Sequence, residues 1–107
     1  MDAVFRALAE PRRREILQLV WSEELPATQI AANFAEVTQS AISQHLGVLR
    51  RANLVIERRD GTRRLYRANY AEMDRLRRFL DEYWTGSLRN LRDLAESTEQ
   101  EKGHSHG

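Results

Sequence analysis

A chain of 107 residues has room for one domain and not for two ordinary ones. It contains no cysteine, which excludes disulfides and thiolate metal sites, and it shows neither a membrane-length apolar run nor an apolar signal core, so a cytoplasmic protein is expected. The net charge is only +1, yet from Arg50 to Arg67 seven arginines meet only Glu57 and Asp60, the concentrated basic patch expected of a phosphate-binding surface.

In chain order, Asp2 to Leu8 reads as a short helix with Val4, Phe5 and Leu8 on one face. Pro11 opens a second helix, because proline is tolerated at the first helical position. That helix is expected over Arg12 to Glu24, with Ile16, Leu17, Val20 and Trp21 at helical spacing, and it breaks at Leu25-Pro26-Ala27. Thr28 to Phe34 is a third, short helix, followed by a turn at Ala35-Glu36-Val37. Thr38 is a good N-cap for a fourth helix running to Ala52, and Asn53 can close it in the left-handed conformation. The period then changes to two. Leu54–Arg59 and Arg64–Ala68 read as strands, with Asp60-Gly61 as a hairpin turn. Ala71 to Ser97 is a long helix carrying Leu80, Tyr83, Trp84, Leu88, Leu91 and Leu94, more apolar surface than one small core absorbs. Residues 98–107 read as a disordered tail.

The predicted fold is mainly α with a small β-hairpin, in the order α-α-α-α-β-β-α. Residues 1–97 form a winged helix-turn-helix DNA-binding and dimerisation domain. On the fourth helix Ile42, Leu46 and Leu49 share a buried face. Thr38, Gln39, Ser40, Ser43 and Gln44 lie at or near the opposite, short-chained polar face, which can approach base edges closely. Arg50 and Arg51 end the helix and suit phosphate contacts. In the hairpin Arg58, Thr62, Arg63 and Arg64 are expected to touch DNA, and Tyr66 to pack inward. His45, at the edge of the apolar face, reads as a structural histidine. Arg12, Arg13 and Arg14 are open between DNA backbone and neighbouring acids. Val4, Phe5, Leu8, Leu80, Tyr83, Trp84, Leu88 and Leu91 are the expected homodimer interface.

No nucleophile–base pair, glycine-rich phosphate loop or metal cluster at useful spacing is visible, so no enzyme, cofactor or metal is expected. Asp74, Asp81 and Glu82 read as surface ion pairs. His104 and His106 alone make too weak a metal tract.

Phe5-x-Ala7-Leu8-Ala9-Glu10-Pro11-Arg12-Arg13-Arg14-x-Ile16-Leu17 resembles the opening of ArsR-type transcriptional repressors. Thr38-Gln39-Ser40-Ala41-Ile42-Ser43-Gln44-His45-Leu46-x-Val48-Leu49 is similar to that family's recognition helix, and Asn53-Leu54-Val55 with Gly61-Thr62-Arg63-Arg64-x-Tyr66 to its strand entry and wing. The resemblance covers about residues 3 to 95. It implies a homodimer on double-stranded operator DNA, paired through its first and last helices, usually repressing. The turn before Thr38 is one residue longer than is usual in the family, which bears on which polar residue meets a base. Without cysteines, and with no His over 71–97, the chain resembles the branch without metal sensing, and no small-molecule inducer is specified. Two alternatives stand beside this reading: a protein-interaction module on the same scaffold, and a ligand- or metal-responsive version of the repressor.

Overall fold

The computed structural model describes the backbone of residues 1–106 and the side chains of residues 1–98. These fall into two units, Met1–Leu76 and Arg77–Gly107. The order is α1 (Asp2–Ala9), α2 (Pro11–Leu19), β1 (Leu25–Pro26), α3 (Ala27–Ala32), α4 (Gln39–Arg51), β2 (Val55–Asp60), β3 (Arg63–Ala68) and α5 (Tyr70–His106). This is the mainly helical winged helix-turn-helix that the sequence predicts, with one strand more.

Pro11 separates the first two helices by forcing Glu10 into extended backbone, φ −87° and ψ 120°. The carbonyls of the last turn of α1 then lack helical partners. Arg13 supplies two, donating Nε to the Ala7 carbonyl at 2.7 Å and Nη2 to the Arg6 carbonyl at 3.1 Å, and Arg14 Nη1 donates to the Leu8 carbonyl at 2.7 Å. The arginines that oppose the dipole of α2 thus sit favourably at the negative end of α1. Arg12 pairs with Glu15 at 3.3 Å and Glu36 at 3.0 Å and covers the Phe34 ring.

α2 ends at Leu19, five residues before the expected Glu24. Two carbonyls that a longer helix would need are claimed from outside: Val20 accepts from the Ala68 backbone N–H at 2.9 Å, and Trp21 from the Tyr70 hydroxyl. Trp21 therefore leaves the core and meets Tyr70 edge-on, with ring centroids 5.3 Å apart. Leu25-Pro26, expected only as a break, is strand β1. It pairs antiparallel with β3, Leu25 opposite Tyr66, giving a three-stranded sheet in the order β1-β3-β2. Pro26 is tolerated because β1 is an edge.

α4 begins where the sequence places it. Thr38 is the N-cap, its hydroxyl accepting from the Ala41 N–H at 3.1 Å. At the other end Asn53 takes φ 62°; its N–H reaches the Arg50 carbonyl and the Leu54 N–H the Leu49 carbonyl, both at 2.9 Å, a left-handed closure. Asn69 Nδ2 then donates to the Asn53 carbonyl at 2.9 Å, tying the end of α4 to the start of α5. In the hairpin Asp60 pairs with Arg63, so the loop is Gly61-Thr62 rather than Asp60-Gly61. Gly61 has φ 65°, the left-handed residue that a tight hairpin with glycine first requires.

Ile42, Leu46 and Leu49 of α4 are buried with Ile16, Val20, Ile30, Phe34, Leu54, Val55 and Tyr66, one core beneath helix and wing. Val4 belongs to it as well. Expected at a dimer interface, it is 4% exposed inside the protomer and has no surface to offer a partner. Phe5 is exposed and Leu8 half-buried.

The second unit is the continuation of α5. The helix is longer than the expected 71–97, and the tail expected over 98–107 lies, from residue 99, outside the residues whose side chains are described. Leu80, Tyr83, Trp84, Leu88, Leu91 and Leu94, mostly three and four residues apart, are 44–65% exposed. None of the helices searched among the described residues is long and apolar enough to cross a membrane.

Candidate nucleic-acid interface

α4 presents one polar face. Thr38, Gln39, Ser40, Ser43 and Gln44 are all exposed, while Ile42, Leu46 and Leu49 anchor the opposite side. Short side chains over the first turns leave the backbone accessible, and Gln carries both a donor and an acceptor. Gly47 continues this face: a Cβ there would come within 3.3 Å of Arg51 Nη1, so the missing side chain lets the Arg51 guanidinium lie across the helix.

The wing adds charge. Strand pairing sets Glu57 opposite Tyr66 and Arg59 opposite Arg64, all on the face that carries buried Val55 and Ala68. Glu57 bridges two elements, with Oε2 at 3.3 Å from Arg50 Nε on α4 and Oε1 at 3.7 Å from Arg64 Nε on β3. Arg63 pairs with Asp60 at 3.4 Å, and Thr62 is exposed in the loop.

Arg58 is set apart from Arg64, although it shares its hairpin face with Arg63. It stands on the face of the hairpin opposite to Arg64 and is neutralised by Glu24, whose carboxylate takes Nε at 2.9 Å and Nη2 at 2.6 Å. The pair clamps the segment before β1 to β2 and draws the Glu24 carboxyl below its ordinary pKa, mainly through that hydrogen bond. Arg59, absent from the sequence-based set, lies on the face with Glu57 and Arg64. No carboxylate pairs with it among the described residues, and it stands opposite Arg64, a like-charge pairing that Glu57 offsets only on the Arg64 side. The signal for this was in the sequence: strand alternation puts Arg59 with Glu57, not with Arg58.

His45 packs as a structural side chain, half-buried, its Nδ1 3.4 Å from Arg13 Nη1. Burial first, then the Arg13 charge, lower its pKa from the ordinary value of 6.5, with Arg12 acting the same way and Glu10 opposing. The unfolded chain therefore binds the proton more readily than the folded one. His45 is expected to contribute stability in full above pH 6.5 and to lose it as pH falls from there. Denaturation midpoints of the parent and His45→Gln between pH 7.5 and 5 check this; a slope as steep in the variant as in the parent contradicts it.

Trp21 lines an open apolar groove of about 380 Å³ with Leu8, Leu17 and Met73. Among the described residues no group of three His, Asp or Glu side chains is placed to hold a metal ion.

Residues 10–57 match the family model described as bacterial regulatory protein, arsR family. The chain is 36% identical over 96 residues to the HTH-type transcriptional regulator Rv2034 of Mycobacterium tuberculosis, covering 90% of this chain and 89% of the relative. It is 30% identical over 81 residues to the arsenical resistance operon repressor of Staphylococcus xylosus, covering 76% and 77%. A solved ArsR-like transcriptional regulator from Rhodococcus sp. RHA1 superposes with a TM-score of 0.75 at 30% identity, covering 87% of each chain.

Proposed function

The chain belongs to the ArsR family of bacterial regulatory proteins, and from that premise we propose a dimeric repressor that reads an imperfectly palindromic operator. Residues 1–97 serve as its DNA-binding and dimerisation domain, acting in the cytoplasm. Gln39, Ser40, Ser43 and Gln44 meet base edges, Thr38 fixes the start of the helix, and Arg50, Arg51, Arg59, Arg63 and Arg64, with Thr62, meet the backbone. Phe5, Leu8 and the α5 stripe pair the two copies.

One observation carries the DNA reading. The polar face of α4 and the Arg59–Arg64 pair belong to elements joined by Glu57, and that single carboxylate, shared between Arg50 and Arg64, leaves the face with an excess of positive charge that a phosphate would offset. The exposed, regularly spaced apolar residues of α5 support the dimer. Selection of duplexes from a random-sequence pool by the full chain tests the reading. Enrichment of two half-sites about 10 bp apart is expected.

A further inference from the structure

Glu57 is an acid at the centre of a basic surface, where a carboxylate on its own repels DNA. Its side chain is 21% exposed, held on the inward-facing side of β2 beside Tyr66. It touches Arg50, the penultimate residue of α4, and Arg64, in the wing, each through Nε. That mode of contact leaves the Nη groups of Arg50 for a further acceptor; Arg64 also bonds the Tyr66 side chain, and both arginine side chains are more than half exposed. Two guanidiniums thus share one carboxylate, and Arg59 stands across from Arg64 on the same face.

Building on the DNA-binding reading, we propose that Glu57 is a positioning residue that fixes Arg50 of the reading helix and Arg64 of the wing as one clamp for a DNA phosphate. Two opposed effects decide its sign. As a bare charge, Glu57 lowers affinity by repelling phosphate. As a brace, it orders two long side chains before DNA arrives, worth roughly 2- to 10-fold in affinity for each side chain. The carboxylate is already occupied by two cations, so its charge is largely spent within the protein and the brace prevails. A glutamine keeps the shape but has one acceptor oxygen, so it can hold only one of the two arginines. An aspartate keeps the charge but falls short of spanning both.

The test uses the full chain and the duplex that the parent protein enriches from a random pool, with Kd read by fluorescence anisotropy at fixed salt. Glu57→Gln is expected to bind roughly 10-fold more weakly, and Glu57→Asp several-fold more weakly, at unchanged melting temperature. In a background of Arg50→Ala with Arg64→Ala, Glu57→Gln should have no further effect. Binding by Glu57→Gln as tight as the parent's or tighter overturns the proposal and leaves a simple repulsive charge. A loss that persists in the double-alanine background overturns it too, because the effect then passes through the fold and not through the clamp. If Glu57→Gln does not fold, Glu57→Asp decides: unchanged affinity rejects the brace. A parent protein that enriches no duplex removes the DNA-binding reading itself, and with it the proposal.

Discussion

Leu46→Ala is expected to lower the unfolding free energy by about 2–5 kcal/mol. The total for such a domain is about 5–15 kcal/mol, so a large share is at stake. Leu46 is 1% exposed and lies midway along α4 between Ile42 and Leu49, inside the core. The loss should extend beyond stability, because those three side chains are what hold the polar face outward. Urea denaturation checks the number, with Gln44→Ala, on the exposed face, as the control expected to stay within about 0.5 kcal/mol. A cost for Leu46→Ala below about 1 kcal/mol would mean that α4 is not anchored as described.

Trp84→Glu with Leu88→Glu is expected to separate the proposed dimer. Both side chains are more than half exposed on the α5 stripe, and fully burying one large apolar side chain is worth roughly 1.5–3 kcal/mol. In the proposed dimer each of them occurs twice, so four carboxylates in the seam outweigh what the remaining leucines return. Once the copies part, a second half-site no longer gains from the first. Affinity for a two-half-site duplex should fall by about 10²–10⁴, while affinity for a single half-site should hardly change. Sedimentation and anisotropy together test this. A parent chain that sediments as a monomer, or a double variant that binds the two-half-site duplex like the parent, contradicts the pairing.

The parts of the fold legible in the sequence are those set by local chemistry. Thr38 caps and Asn53 closes α4 as read, because both effects act within a few residues. The hairpin was legible too, although its loop shifted one residue: glycine fixes where φ turns positive, and the Asp60–Arg63 pairing fixes the rest. Distant partners hid the remainder. The hydrophobic spacing through Val20 and Trp21 continues a helical pattern, but Ala68 and Tyr70 take the carbonyls that would extend it. A two-residue strand such as Leu25-Pro26 has no period to detect. At the interface, the polar face of α4 was readable from its wheel. That Arg58 and Arg59 face opposite ways was readable from strand alternation, but the neutralisation of Arg58 was not, because it turns on Glu24, more than thirty residues away in sequence.

The central claim is that the face shared by α4 and the wing binds DNA phosphates, and the salt dependence of binding measures it most directly. On the duplex enriched from a random pool, log K is expected to fall linearly with log salt at about −0.9 for each phosphate neutralised, and Arg59→Ala with Arg64→Ala should make the slope shallower by about 2 per protomer. Binding that ignores salt, or a slope unchanged by removing both arginines, would place the interface elsewhere on the molecule.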